Sequence, residues 1–147
     1  ILHDLKYHDK TSLAKVFSKM IFHKYSLWFD DCDVVVPIPM HKIKRLFRRY
    51  NQAQVIAHNI ANFLQKPMIS NCLMKTKWTK SQTSLTKQQR MTNLEGSFSI
   101  NNNNAILQKN VLLVDDVLTT GSTVNLCAKI LKNHGAKQVK VITIAIT

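Results

Sequence analysis

Glycine, proline and cysteine are scarce in this chain, with 3 of each among 147 residues. The cysteines, Cys32, Cys72 and Cys127, lie far apart and form no CxxC pair, which argues against a zinc site built from the chain's own thiols. An odd, scattered set suits reduced thiols and predicts a cytoplasmic protein. Cys127 lies inside an apolar helical pattern and reads as core. No apolar run approaches the roughly 20 residues that span a bilayer, and there is no signal-peptide pattern. The first residue is Ile1 rather than Met, which leaves room for residues upstream. Acids are scarce as well: 8 against 21 lysines and arginines, a formal net charge of +13. That balance favours anionic partners such as phosphates, nucleotides or nucleic acid. Asp4, Asp9, Asp30, Asp31 and Asp33 fall in the first 33 residues, and only Glu95, Asp115 and Asp116 follow. Two of the last three acids are therefore neighbours, which a solvated surface does not require.

With 45% hydrophobic residues and a length suited to one domain, the chain can bury a core. Apolar residues at helical spacing (Leu13, Val16, Phe17, Met20, Ile21 and Trp28) predict a helix over 11–28. DVVVPIP (33–39) reads as a buried strand ended by prolines, and QAQVIAHNIANFLQ (52–65) as a helix stopped by Pro67. A strand is expected within 66–76, a polar stretch turning helical around Leu85–Leu94 within 77–98, and a polar turn at 101–105. NVLLVDD (110–116) reads as a strand, STVNLCAKILKNH (122–134) as a helix with Gly135 at its left-handed cap, and KQVKVITIAI (137–146) as a strand. The alternation predicts an α/β fold, a mostly parallel sheet flanked by helices in a single domain over 1–147. Residues 1–30 would form an N-terminal helical segment and 33–147 the core.

The stretch VLLVDDVLTTGSTV (111–124) carries the chemistry. In open α/β sheets ligands bind outside the carboxyl ends of strands, and Asp115 and Asp116 fall at such an end. The following helix would present unpaired N–H groups and the positive end of its dipole. Thr119, Thr120, Ser122 and Thr123 add hydroxyls, and Gly121 permits close approach of the backbone. A monoester phosphate fits that cradle. The carboxylates accept hydrogen bonds and so suit vicinal hydroxyls, or a nearby divalent cation. Together they suggest a ribose 5-phosphate unit.

The same stretch resembles the phosphoribosyl pyrophosphate (PRPP) signature of type I phosphoribosyltransferases. VVVPIPMHKIKRLFRRYNQAQVIA and KTKWTKSQTSLTKQQRMTNLEGSF resemble the ComF family, which is associated with competence and DNA uptake and is amidophosphoribosyltransferase-like. The resemblance implies the type I phosphoribosyltransferase fold and a Mg²⁺-dependent transfer of ribose 5-phosphate to a nitrogen acceptor, with release of pyrophosphate. PRPP or a nucleoside monophosphate would be the ligand. It implies that Asp115 and Asp116 hold the ribose hydroxyls and that Thr119–Thr123 hold the 5-phosphate. Pro39, Met40, His41 and Lys42 would take the pyrophosphate, with Lys44 and Arg45 supplying further charge. Residues 75–90 would be a closing loop, with Gln82, Arg90 and Asn93 matching the family pattern and Lys77, Lys80 and Arg90 within reach of pyrophosphate. Asp115, Asp116 and Arg90 are then the expected catalytic residues, and Mg²⁺ would come with the ligand and take at most the two aspartates from the protein. Arg48, Asn51 and Gln52 match the family's RGFNQ, but Arg49 stands where the family has glycine. The four-cysteine metal segment of many relatives has no counterpart here, so no structural zinc is expected.

A binding module is the rival reading. His41–Arg49 holds six basic residues in nine positions, and Phe47, Tyr50 and Trp78 are able to stack on bases. Single-stranded DNA and a competence helicase are the partners that reading implies. A response-regulator receiver is excluded because no acid follows Asp116, and a P-loop nucleoside triphosphatase because GxxxxGK[ST] is missing.

Overall fold

The computed structural model describes residues 11–40, 50–76 and 96–146. Helix α1 (Thr11–Tyr25) runs into a 3₁₀ turn (Ser26–Phe29) and then β1 (Val34–Pro37). Helix α2 (Gln52–Leu64), β2 (Leu73–Lys75), β3 (Phe98–Ile100), β4 (Asn110–Leu118), α3 (Ser122–Asn133) and β5 (Gln138–Ile146) follow. The stretch 1–10, the basic segment 41–49 and residues 77–95, including the helix expected around Leu85–Leu94, lie outside the described residues.

The valine-rich runs dictate the layering. All four residues of β1 are buried, and so are Val111–Val114 in β4. Side chains alternate along a strand, so such runs need cover on both faces. Val34, Val36, Val111 and Leu113 share a cluster with Cys127 and Leu131 of α3. Val35, Leu112 and Val114 share the opposite cluster with Ile56, Ala57 and Ile60 of α2. The sheet between them is parallel, in the order β1-β4-β5, with Val34 opposite Val111 and Val114 opposite Ile142. This is the parallel, helix-flanked sheet that the alternation of elements predicts.

The strand expected within 66–76 divides in two. Residues 67–69 join the main sheet beside β1: the Val35 N–H donates to the Pro67 carbonyl at 3.0 Å, and the Ile69 N–H to the Val35 carbonyl at 2.9 Å. Ser70 and Asn71, both turn formers, then redirect the chain. Leu73–Lys75 pairs antiparallel with β3 in a separate two-stranded sheet.

Helix ends follow local chemistry. After α3, the Gly135 N–H bonds the Lys132 carbonyl and the Ala136 N–H the Leu131 carbonyl, both at 3.1 Å, with Gly135 at φ +97°. That is the left-handed cap the sequence predicts. The end of α2 has the same bond pattern, but Gln65 supplies the left-handed residue at φ 54°, one position before Lys66-Pro67.

Helix α1 departs from expectation in length and in face. It ends at Tyr25, and Val16, Met20 and Trp28, expected on its apolar stripe, are 54%, 61% and 43% exposed. The covered side is turned toward α2. Ser18 is fully buried, Phe17 and Ile21 pack on the α2-side cluster, and Phe22 stacks on Phe63 at 5.6 Å between centroids.

Candidate ligand site at the carboxyl end of β4

The site grows out of strand alternation. Val111 and Leu113 face α3, and continuing the count places Asp115 on the α3 side and Asp116 on the other. Asp115 lines an open depression together with Val117, Leu118, Thr119, Gly121, Ser122, Thr123 and Val124. Of the residues expected to cradle a phosphate and a sugar, Asp115, Thr119, Gly121, Ser122 and Thr123 are therefore brought together. Asp116 and Thr120 are not among the lining residues, and the Thr120 hydroxyl oxygen lies 2.9 Å from that of Ser122.

Backbone bonds fix both acids. The Asp116 N–H donates to Asp115 Oδ1 and the Val117 N–H to Asp116 Oδ1, each at 2.9 Å. Each carboxylate thus has one oxygen held by a backbone N–H, and the two side chains also interact with each other. Among the described residues neither acid appears in an ion pair; the Lys140–Asp31 bridge involves other groups. Burial pushes the Asp115 carboxyl up to about 7, and the neighbouring charge of Asp116 adds to the effect.

Gly121 precedes α3 at φ +73°, and no side chain caps the helix there. A Cβ at Gly121 would meet Asn125 at 3.7 Å and Leu118 at 3.8 Å, ordinary contacts. The left-handed backbone angle by itself favours glycine here, while the protein's own atoms leave room for a Cβ. The first-turn N–H groups of α3 open toward the depression without a side-chain acceptor.

The other expected residues divide between described and undescribed positions. The Ile38 N–H bonds the Val114 carbonyl at 2.8 Å, so Pro39 and Met40 start beside the acid pair. The Asn51 amide donates to the Ile38 carbonyl at 3.0 Å and so ties the start of α2 to the end of β1. Gln52, the first residue of α2, is buried. His41, Lys42, Arg48, Gln82, Arg90 and Asn93 lie outside the described residues, as do Lys44, Arg45, Phe47, Arg49, Lys77, Trp78 and Lys80.

Lys75, the first residue of the expected closing loop, was given no role of its own from the sequence. Lys75, at the end of β2, exerts a positive charge that lowers the pKa of both Asp115 and Cys127, and its ammonium lies 5.3 Å from the Phe98 ring centroid. Its position just before the polar stretch at 77 was the available signal. Cys127 registers Asp115 from below: burial, then the Asp115 charge, push its thiol up to about 12.

Comparison with known proteins gives this geometry a family. The phosphoribosyl transferase domain family matches residues 51–146. Competence protein F of Haemophilus influenzae is 33% identical over 110 residues, covering 74% of this chain and 48% of that protein. Competence protein ComFC of Bacillus subtilis is 31% identical over 126 residues, covering 86% and 46%. The DNA utilization protein YhgH of Escherichia coli is 26% identical over 146 residues, covering 96% and 63%. The chain thus spans about half to two thirds of the length of these relatives. Among solved structures, glutamine PRPP amidotransferase from B. subtilis superimposes with a TM-score of 0.67 at 18% identity, covering 98% of this chain and 30% of that one. Purine phosphoribosyltransferase from Pyrococcus horikoshii does so with a TM-score of 0.58 at 18% identity, covering 90% and 72%. These likenesses establish the type I phosphoribosyltransferase fold, and with the sequence matches they make this chain a member of the phosphoribosyltransferase family, of the ComF kind.

Proposed function

We propose that the chain binds PRPP at the carboxyl end of β4 and transfers its ribose 5-phosphate to a nitrogen acceptor. The observation that carries the proposal is the depression joining Asp115 to the uncapped start of α3. Thr119, Ser122, Thr123 and the first-turn N–H groups would hold the 5-phosphate. Asp115 and Asp116, each already held in place by a backbone N–H, would hold the ribose hydroxyls. The nitrogen lone pair forms a bond to ribose C1 while the C1–O bond breaks and its electron pair leaves with pyrophosphate. Positioning the sugar against that bond is the chain's main contribution. Pro39 and Met40 open the segment that would meet the leaving group, and its lysines and arginines would balance the charge.

The donor set suits Mg²⁺ brought in by the ligand. No group of three or more His, Cys, Asp or Glu able to hold a metal occurs among the described residues. Two adjacent carboxyls offer part of an oxygen shell, and phosphate oxygens and water would complete it. When bound, Mg²⁺ would supply charge neutralisation to the pyrophosphate.

Titration calorimetry with PRPP and Mg²⁺ tests the site. Asp115→Ala with Asp116→Ala should weaken binding at least tenfold, about 1.4 kcal/mol. Unchanged affinity in that double variant contradicts the assignment.

A second reading rests on the relatives' names and on the charge: competence and DNA-utilization proteins, and +13 in this chain. In it the fold binds PRPP without turnover and serves in a DNA-handling complex with single-stranded DNA or a helicase. A salt series separates the two, because contacts to several phosphates of a strand release counterions and give a steep slope. Pyrophosphate release from PRPP in the presence of candidate amines would decide for turnover.

A further inference from the structure

Large apolar side chains left on the surface are unevenly placed. Among the described residues Val16, Met20, Tyr25, Leu27 and Trp28 all fall in α1 and the 3₁₀ turn, and only Met74, Leu107 and Ile146 lie elsewhere. Scattered singly, such residues need no account, but a group on one element does. Phe17, Ser18, Ile21 and Phe22 form the covered side of α1. At about 100° per residue, Val16, Met20 and His23 then occupy its outer sector. Leu27, 86% exposed, carries the apolar surface past the helix end.

Charge frames that sector. Lys15 and Lys19 border it on one side and Lys24 on the other, and all three are exposed. No acid occurs from Thr11 to Phe29. Of the acids just beyond, Asp31 pairs with Lys140 and Asp33 accepts the Asn110 N–H, while Asp30 is exposed. The aromatic rings here also carry cations: Lys24 Nζ lies 5.3 Å from the Tyr25 centroid and Lys140 Nζ 5.0 Å from that of Trp28.

We infer that the outer face of α1 and the 3₁₀ turn rests on an anionic lipid surface. Complementarity of charge and polarity selects that occupant. A nucleic-acid backbone would pair with the lysines but leave Val16, Met20 and Leu27 exposed. A protein partner would need a groove shaped to a convex ridge, whereas headgroups and acyl chains yield to it. Lysine stems lie along apolar surface while their ammonium groups reach anionic headgroups. Tyrosine and tryptophan suit the same boundary, with one end apolar and the other wet. At 15 residues α1 is too short to span a bilayer, so the contact lies in the interface and is reversible. Helix α1 packs on the α2 side of the sheet and the depression opens on the α3 side, so this surface does not depend on the reading of the ligand site.

Cosedimentation of the full-length protein with lipid vesicles tests the inference. Binding should be at least roughly tenfold tighter to vesicles of phosphatidylcholine with phosphatidylglycerol than to phosphatidylcholine alone, and should weaken with added salt. Lys15→Gln, Lys19→Gln and Lys24→Gln together should weaken it by roughly tenfold or more. Met20→Ser with Leu27→Ser changes exposed side chains and no charge, and should also weaken it by roughly tenfold. An absence of binding, binding indifferent to phosphatidylglycerol, or binding unchanged by the glutamines overturns the inference. So does binding unchanged by the two serines, the result expected of a purely ionic surface such as one for nucleic acid.

Discussion

Replacing Asp115 with asparagine separates what that carboxyl does for a ligand from what it costs the fold. In the native protein burial, aided by Asp116, moves its titration from an ordinary 3.8 to about 7. Between those values the native state holds the proton and the unfolded chain has lost it, so stability falls as pH rises. Above pH 7 both states are ionised and the full penalty applies. Each pH unit is worth about 1.4 kcal/mol, so the interval amounts to at most about 4 kcal/mol. Asparagine is neutral throughout, and its Oδ1 still accepts the Asp116 N–H that Asp115 accepts at 2.9 Å. The variant should therefore match the wild type near pH 4 and exceed it by up to about 4 kcal/mol at pH 8. Urea denaturation of both proteins at intervals from pH 4 to pH 8 measures the difference, which includes the loss of the Asp115–Asp116 repulsion. PRPP affinity should fall in the same variant, the trade between stability and function expected of a binding carboxylate. Parallel pH profiles, or a wild type that gains on the variant as pH rises, would refute the reasoning.

Gly121→Ala should cost about 1 kcal/mol in chemical denaturation, from φ +73° alone, because a Cβ has room there. Gly135→Ala should cost about 1–2 kcal/mol: its Cβ would stand 2.5 Å from Leu107 Cδ1, but Leu107 is 53% exposed and can turn away, leaving φ +97° as the main strain. Adding Leu107→Ala should therefore restore little of that loss. All three cysteines are buried, and the thiols of Cys72 and Cys127 are pushed up to about 11 and about 12. Native protein at pH 8 should accordingly react with an aromatic disulfide at the rate of unfolding, and a fast-labelling thiol would contradict the packing. Leu131→Ala, at a fully buried position of the α3-side cluster, should cost about 2–5 kcal/mol by denaturant titration.

Much of this was legible because it is local. The runs at 34–36 and 111–114 announce strands covered on both faces, Gly135 marks its cap, and the acids, hydroxyls and Gly121 sit at one strand–helix junction. The side of β4 on which Asp115 lies follows from counting from Val111. What escaped depends on distant pairing. PMI and LMK are both short apolar pieces, and only their neighbours decide that residues 67–69 join β1 while 73–75 pair with β3. In α1, spacing defines an apolar stripe, but the position of α2 decides which side of it is covered, and Met20 and Val16 are left out. Gly121 was singled out for close approach of the backbone, and its φ of +73° is a second demand that a sequence does not show.

The hydrogen bond from Asn51 to the Ile38 carbonyl spans 13 positions of sequence. Asparagine is a favoured residue for capping a helix start, yet this one makes no capping bond and grips the strand instead. The two flanks of the intervening stretch are therefore held to each other by a bond that does not depend on it. If that stretch meets the leaving group as proposed, substitutions within it should change affinity while this bond continues to hold β1 against α2.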